Sequence, residues 1–166
     1  PIATPLRYTP SMNINRTLIA DVLADVEVGS EVTIGGWIRT VRASKGGFSF
    51  ITLNDGSCMD CIQIVADKEL DNYDSEISHL TTGCSLLIRG EVVESPGKGQ
   101  RVELHGREVR IIGLADAETY PIQPKRHTFE FLRTQAHLRA RTNTFGAVAR
   151  VRSAMAGLIH DYFQSR

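Results

Sequence analysis

The stretch VTIGGWIRTVRASKGGFSFITLNDGS, residues 32–57, carries the pattern that decides the fold. Apolar residues recur at alternate positions over Val32–Arg42 and again over Phe48–Leu53, which predicts two strands. Because successive side chains of a strand point to opposite faces, Ile51 lies on one face and Phe50 on the other. Both faces of the second strand are therefore apolar. A small barrel has only one interior, so the phenylalanine face needs a separate explanation.

Three further strands extend this pattern along the chain. The turn Asn54-Asp55-Gly56 predicts a hairpin that leads into a third strand over Met59–Val65. A fourth strand is predicted over Ser85–Ser95 and a fifth over Arg101–Leu114. The residues between them, 96–99, are a proline, two glycines and a lysine, which predicts a tight turn.

Two short helices accompany the strands. Apolar residues at helical spacing predict one helix over Arg16–Asp25 and another around Asp74–Leu80, whereas residues 1–15 are irregular. Five strands with a helix between the third and fourth are typical of the OB-fold, a Greek-key barrel that binds oligonucleotides across its second and third strands. An immunoglobulin-like sandwich needs about seven strands and no such helix. The predicted fold class is therefore mainly β with α, a five-stranded OB-fold barrel.

The strand periodicity assigns side chains to the inside or the outside of this barrel. The adjacent glycines Gly35 and Gly36 predict a bulge or sharp bend in the first strand. The predicted interior consists of Val32, Ile34, Ile38, Ile51, Leu53, Ile62 and Ile64. The predicted outer face consists of Trp37, Arg39, Val41, Phe48, Phe50, Gln63 and Val65, with Arg42 and Lys45 in the following loop.

This outer face has the chemistry of a surface for single-stranded nucleic acid. Aromatic rings stack on bases with about 1–3 kcal/mol per base, and cations follow the phosphates. The Gln63 amide both donates and accepts, which suits the edge of a uracil or an adenine. No acidic residue falls between Glu31 and Asp55, so the cations there form a basic patch. The structural alternative is that Trp37 and Phe48 pack under the N-terminal helix, while the cations lie on an exposed strand edge and prevent aggregation there.

Composition limits the class of protein. The 166 residues are 42% hydrophobic and 23% charged, as in an ordinary globular chain. No apolar run approaches the ~20 residues of a membrane span, and the first residues lack the apolar core of a signal peptide, so we expect a soluble cytoplasmic protein. The net charge of zero is the sum of an acidic and a basic part of the chain. Residues 1–118 hold 17 acidic and 11 basic residues, whereas residues 119–166 hold 2 acidic and 8 basic residues. This asymmetry indicates two parts with different surroundings.

No motif for metal binding or catalysis is complete. Cys58 and Cys61 form a C-x-x-C without a second pair, so we expect them to pack beside the hairpin turn rather than bind metal or carry redox chemistry. The chain has no G-x-x-x-x-G-K-[ST], no G-x-G-x-x-G after a strand and no H-E-x-x-H, and its five histidines are scattered. We therefore expect no catalytic residue, metal site or cofactor within it.

The chain changes character after the last predicted strand. Residues 115–142 contain two prolines and read as a hinge with a short helix over Thr128–Arg133. A long amphipathic helix is predicted over Asn143–Gln164, with Asn143 as its N-cap. Its apolar stripe consists of Phe145, Val148, Val151, Met155, Leu158, Ile159, Tyr162 and Phe163. Such a helix needs a partner, which is the barrel, another subunit or a further domain.

Four segments carry a resemblance to a known family. They are VTIGGWIRTVRASKGGFSFITLNDGSC, LTTGCSLLIRGEVVESPGKGQRVEL, TYPIQPKRHTFEFLR and AHLRARTNTFGAVARVRSAM. From about Thr17 onward the chain resembles the asparaginyl-tRNA synthetases, in the class II group shared with the aspartyl and lysyl enzymes. Aspartyl enzymes typically have an arginine-flanked turn where this chain has Leu53-Asn54-Asp55-Gly56, so the resemblance favours the asparaginyl family.

The resemblance implies an OB-fold over residues 1–114 that binds the tRNA anticodon, a hinge over 115–142 and the start of a catalytic domain over 143–166. In related synthetases a phenylalanine of the second strand stacks on the middle anticodon base, and a glutamine of the third reads it as uracil. These positions match Phe50 and Gln63. An arginine at the end of the first strand matches Arg42, and a glutamate that reads an outer anticodon base matches Glu103. The predicted anticodon site consists of Phe50, Gln63, Arg42, Glu103, Arg39 and Lys45.

The resemblance also implies how the full-length protein works. Its final helix is similar to class II motif 1, which forms the homodimer interface and here contains Phe145, Val148, Val151, Met155 and Leu158. Full-length relatives join asparagine to tRNA with ATP and magnesium. Motifs 2 and 3, which hold ATP and the amino acid, have no counterpart before Arg166, so we expect a fragment that binds tRNA without activating asparagine. The alternatives are a freestanding OB-fold module for RNA binding or dimerisation, and an aspartyl-type relative.

Overall fold

Five strands close into a barrel in the computed structural model, which describes residues 15–44, 46–97 and 99–166. The strands are β1 (Glu31–Ala43), β2 (Phe48–Asn54), β3 (Ile62–Asp67), β4 (Ser85–Glu94) and β5 (Val102–Gly113). They follow the order β1-β2-β3-β5-β4, and β4 pairs in turn with β1. All these pairs are antiparallel except β3 with β5. The predicted OB-fold barrel is confirmed, while the prediction of an irregular N-terminus falls almost entirely outside the described residues.

The described helices are α1 (Ile19–Ala24), α2 (Phe129–Thr134) and α3 (Asn143–Gln164), with 3-10 turns at Ile77–His79 and Arg139–Arg141. The helix predicted around Asp74–Leu80 is thus only the first of these 3-10 turns. Helix α3 has the predicted bounds, but its N-cap is Thr142 and not Asn143. Asn143 is the first helical residue, and its Oδ1 accepts a hydrogen bond from Arg39 at 3.0 Å. Among the described residues, no helix combines the length and apolar character that crossing a membrane requires.

The barrel interior is largely the predicted one. Six of the seven predicted core residues are fully buried, and Val32 is half-buried against them. Helix α1 adds Ile19 and Val22 to the same core, which explains its amphipathic pattern. The core members contributed by β4 and β5 are Leu86, Ile88, Val92, Val102, Leu104 and Val109. The alternation of apolar residues therefore identified the inner face of the sheet.

The third strand begins at Ile62 and not at Met59, as the sequence pattern predicted. The amide of Asn54 explains the difference, because its Nδ2 donates to the carbonyls of Asp60 at 2.7 Å and Cys58 at 3.3 Å. These side-chain bonds replace the strand ladder over the residues before Ile62. The connection from β2 to β3 is therefore a longer loop held by Asn54.

A β-bulge at Arg39 changes which side chains of β1 face outward. In the pairing with β2, Ile38 and Thr40 occupy successive positions and Arg39 is an extra residue. The alternation is therefore reversed beyond it, and Val41 lies opposite the buried Ile51 and packs against the core. The predicted outward position of Val41 is wrong, because a bulge is defined only against the partner strand and leaves the local pattern unchanged.

The bulge predicted at the two glycines does not occur there. The pairing of β1 with β4 continues without a break through Gly35 and Gly36. Gly36 instead permits a close approach to β2, since a Cβ at this position would lie 2.5 Å from the carbonyl oxygen of Asn54. A glycine inside a strand marks such an approach as well as a bulge, so the pattern alone could not decide between them.

Helix α1 is fastened to the barrel at both ends. Asp55 accepts a hydrogen bond from the Ile19 amide at 3.1 Å, and Ser57 Oγ accepts one from the Ala20 amide at 3.0 Å. These side chains of the β2–β3 loop satisfy amides that a helix N-terminus leaves unpaired. At the other end, Arg101 Nη2 donates to the Val22 carbonyl at 3.1 Å.

The segment after the barrel folds back onto β1 and the β2–β3 loop. Arg39 donates to the Arg141 carbonyl, and the Arg141 guanidinium lies 5.0 Å from the ring centroid of Trp37. From α3, Arg150 donates to two carbonyls of the β2–β3 loop, including that of Ser57 at 3.1 Å. The segment after the barrel therefore covers part of Trp37, where the structural alternative had placed the N-terminal helix.

Candidate nucleic-acid interface

Arg42, Phe50 and Val65 form a row across β1, β2 and β3, each opposite the next. The Phe50 side chain is half-buried and Arg42 is exposed. The Phe48 ring meets Phe50 edge-to-face, with centroids 5.1 Å apart and planes at 89°, which is a favoured aromatic geometry. A Cβ on Gly46 would lie 2.8 Å from the Phe48 ring, so this glycine leaves room for it. Phe48 therefore supports Phe50 from the side, and the outer phenylalanine pair has a structural explanation.

A second row, formed by Thr40, Thr52 and Gln63, lies beside the first. The hydroxyls of Thr40 and Thr52 are hydrogen-bonded at 2.9 Å. Gln63 is half-buried, and its Nε2 donates to Oε2 of Glu103 at 3.0 Å. The parallel pairing of β3 with β5 brings together these two residues, which are 40 positions apart in the sequence. The face thus combines the aromatic ring of Phe50, the guanidinium of Arg42 and the amide of Gln63, which is hydrogen-bonded to Glu103.

The Glu103 carboxylate lies at the centre of a hydrogen-bond network. Glu103 is only 4% exposed, and Ser95 Oγ donates to its Oε2 at 3.2 Å. Gln100 Nε2 lies 3.5 Å from the same oxygen, and His105 Nε2 lies 3.5 Å from Oε1. A buried carboxylate needs such donors because removing it from water without them is costly. Ser95, predicted as the last residue of the fourth strand, and Gln100 both lie in the turn between β4 and β5, where side chains follow no strand period.

Some predicted members of this face do not join it. The Arg39 guanidinium contacts the hinge and the start of α3, and Trp37 is covered by Arg141. Lys45 lies outside the described residues. Conversely, the bulge brings Thr40 onto the face, although strict alternation from Ile38 would turn Thr40 inward. Arg42 is therefore the predicted cation that lies opposite Phe50 in the pairing of β1 with β2.

Cys58 and Cys61 lie in the loop between β2 and β3, as expected. Cys58 Sγ donates to the Asp60 carbonyl at 3.4 Å, and Cys61 Sγ accepts from Asn54 Nδ2 at 3.8 Å. Burial raises the pKa of the Cys61 thiol, with nearby Arg39 acting in the opposite direction. A raised pKa disfavours the thiolate that metal binding and redox chemistry require. Within the described part of the chain, no group of three His, Cys, Asp or Glu side chains could hold a metal ion.

Helix α3 presents its apolar stripe to solvent, and none of its residues is buried. Only its first turns contact the rest of the protein closely, where Phe145 meets Phe129 edge-to-face with centroids 5.9 Å apart. The other predicted interface residues, with exposed fractions of 47–63%, are Val148, Val151, Met155 and Leu158. A contiguous apolar surface of this kind is typical of an interaction site.

Comparison with known proteins defines the class of the barrel. The tRNA anticodon family model, described as an OB-fold nucleic acid binding domain, matches residues 32–112, which span β1 to β5 almost completely. The barrel is therefore an OB-fold nucleic-acid-binding domain, and the face described above is the one on which such domains bind oligonucleotides.

Relatives define the protein more closely. The chain is 56% identical over 147 residues to an asparagine–tRNA ligase of Hahella chejuensis, covering 87% of the chain and 32% of the relative. It is 52% identical over 168 residues to that of Rhodopirellula baltica, covering 95% and 34%. The crystal structure of asparaginyl-tRNA synthetase from Pyrococcus horikoshii shares the fold, with a TM-score of 0.76 and 20% identity over 92% of this chain and 36% of that one. The chain matches the N-terminal part of the asparagine–tRNA ligases. It spans about a third of the length of these curated relatives.

Proposed function

We propose that this chain is the tRNA-binding part of an asparagine–tRNA ligase, and that the outer face of β1–β3 holds the anticodon loop. One observation carries the proposal: Phe50, Arg42 and Gln63 lie on a single face of an OB-fold, in adjacent rows. The names of the relatives support the assignment to the asparagine enzyme.

Each of these side chains has a distinct part in binding. The Phe50 ring, held by Phe48, stacks on the middle base of the anticodon. The Gln63 amide donates to and accepts from the edge of that base, as pairing with uracil requires. Arg42, exposed beside the ring, pairs with a phosphate of the loop. Stacking and charge supply affinity, whereas the amide supplies selectivity.

The reaction is proposed for the whole protein. It forms asparaginyl adenylate from asparagine and ATP and then transfers asparagine to the 3′ end of the tRNA in the cytoplasm. We assign ATP, magnesium and asparagine to a catalytic domain that begins near residue 143, after the barrel over 1–114 and the hinge over 115–142. In the chain described here we expect tRNA binding without activation of asparagine.

We also propose that α3 is part of a homodimer interface in the whole protein. The exposed stripe Val148–Leu158 supports this, because its apolar side chains have no cover from the barrel. Phe145, at the start of this stripe, packs edge-to-face against Phe129 of the hinge.

The test is a fluorescence titration of the chain with two RNA hairpins that differ only in uracil or cytosine at the middle of the anticodon. Tighter binding of the uracil hairpin is the expected result. Equal affinity for both hairpins would overturn anticodon recognition and favour a freestanding OB-fold module. Aminoacylation of tRNA by the whole protein with asparagine and with aspartate then tests the ligase assignment, and charging with aspartate would indicate an aspartyl-type relative.

A further inference from the structure

The contact between Gln63 and Glu103 restricts the amide that is proposed to read the base. A side-chain amide has a donating NH2 end and an accepting oxygen end, and the two exchange places when the group turns over. A carboxylate only accepts, so the bond from Gln63 Nε2 to Glu103 Oε2 at 3.0 Å favours one of these two orientations. The opposite orientation would bring the amide oxygen against the carboxylate, inside a region where Glu103 is 4% exposed.

Glu103 is itself held by the turn between β4 and β5, because Ser95 and Gln63 share its Oε2. Ser95 Oγ accepts hydrogen bonds from Gln100 Nε2 at 2.8 Å and from the Gly97 amide at 3.2 Å. Its single hydroxyl proton is therefore left to be donated to Glu103 Oε2, at 3.2 Å. Gln100 therefore donates to Ser95, and Ser95 donates to the Glu103 carboxylate. The Glu103 carboxylate is thus held in place as the acceptor for the Gln63 amide.

The orientation of the amide decides which pyrimidine it matches. Uracil presents a donor at N3 beside an acceptor at O4, whereas cytosine presents an acceptor at N3 beside a donor at N4. For a base stacked in one position, an amide matches the N3/O4 edge of uracil or the N3/N4 edge of cytosine with its oxygen and one N–H, but only by turning over between the two. With one N–H committed to Glu103, Gln63 retains an oxygen and one N–H in a single fixed order.

We propose that Glu103 is a positioning residue: it holds the Gln63 amide in one orientation and thereby makes the site distinguish uracil from cytosine. This inference rests on the proposed anticodon-binding function. It differs from the role that the family resemblance implies for Glu103, which is to read an outer anticodon base directly. In the structure, Glu103 Oε2 is already used by Gln63 and Ser95, so the carboxylate acts through the glutamine.

The experiment compares the wild-type chain with Glu103→Gln, titrated with hairpins that carry uracil or cytosine at the middle position. The new amide at 103 can face Gln63 with either end, so both orientations of Gln63 become available. We expect the wild type to prefer uracil by roughly tenfold or more and the variant to retain only about a threefold preference. A loss of affinity shared equally by both hairpins, with the preference unchanged, would indicate a merely structural role and overturn the proposal.

Glu108→Gln is the matched control, because it makes the same chemical change on the same strand. Glu108 pairs with Arg89 on β4, with 3.4 Å between Arg89 Nε and its Oε2, and its side chain is 64% exposed. We expect this variant to keep the wild-type preference for uracil. Hairpins substituted at either outer anticodon position separate the two roles of Glu103. If Glu103→Gln alters preference at an outer position and leaves the middle position unchanged, direct reading is correct and the positioning role is wrong.

Ser95→Ala provides a second test if Glu103→Gln does not fold, as judged by thermal unfolding. It removes the hydrogen bond from Ser95 to the Glu103 carboxylate, so we expect the preference for uracil to fall, but by less than in Glu103→Gln. An unchanged preference in folded Ser95→Ala would then count against the positioning role. Failure of the proposed function is recognised separately, because a wild-type chain that binds both middle-base hairpins equally overturns anticodon reading before any variant is compared.

Discussion

Arg42 lies directly opposite Phe50 across β1 and β2, and the extra residue Arg39 in β1 is what sets this register. Without the bulge, alternation from Ile38 would turn residue 42 inward and residue 41 outward. With it, the exposed Arg42 lies across from Phe50 on the outer face, and Val41 contributes to the core instead. One inserted residue thus places a cation next to the stacking platform, where a nucleotide has both a base and a phosphate to bind.

Replacing Phe50 with alanine should weaken binding of the uracil hairpin by about 1–3 kcal/mol, the increment of one base stacked on an aromatic ring. The measurement is a fluorescence titration at fixed salt, with thermal unfolding to verify that the variant is folded. Phe163→Ala is the control, because it removes a ring that is 74% exposed near the end of α3. Equal affinity of Phe50→Ala and the wild type would exclude Phe50 as the stacking residue.

Arg42 and Arg39 should differ in the salt dependence of binding. Arg42→Gln removes one proposed phosphate contact, so the slope of log K against log salt should become shallower by about 0.7, the value for one contact with a single strand. Arg39→Gln should leave the slope unchanged, because the Arg39 guanidinium bonds to the Arg141 carbonyl and to Asn143. The measurement is a titration series over several salt concentrations. Equal changes of slope in the two variants would contradict the division of roles between them.

The contrast between these arginines shows what the sequence could and could not predict. The five strands and the core were predictable because burial selects apolar residues at every second position, as in Ile51 and Leu53. The bulge at Arg39 was not, because it depends on how β1 meets a partner strand and leaves no local sign. The alternation along the chain therefore gave the correct face for Phe50 and the wrong one for Val41.

In the candidate site too, contacts between strands that are distant in sequence could not be predicted from the local pattern. Phe50 and Gln63 stand on neighbouring strands of one hairpin, so their common face follows from sequence spacing. The bond between Gln63 and Glu103 joins two strands that are distant in sequence, and only the barrel closure through β3 and β5 reveals it. Ser95 completes that contact from a turn whose side chains follow no period. Long-range partners of a site residue must therefore come from the fold.

Gly46→Ala tests whether Phe48 supports the stacking ring. The new Cβ would lie 2.8 Å from Cε1 of Phe48, so the Phe48 ring must move and its edge-to-face contact with Phe50 is disturbed. The ring end of a side chain can shift at modest cost, so we expect weaker hairpin binding with an almost unchanged unfolding temperature. Gly157→Ala is the control, since a Cβ there meets no atom within 4 Å. Unchanged binding by a folded Gly46→Ala would show that Phe48 does not position Phe50.

The exposed stripe of α3 should make the chain self-associate. Leu158 and Val151 are each 63% exposed, and burial of such side chains between two copies removes apolar surface from water. Sedimentation over a concentration series should show an average mass that rises with concentration in the wild type, whereas Leu158→Glu stays monomeric because pairing would bury a charge. Ser153→Glu adds the same charge about 140° around the helix, and we expect it to associate like the wild type. If the wild type stays monomeric throughout, or if both glutamate variants dissociate equally, the apolar stripe is not what joins the copies.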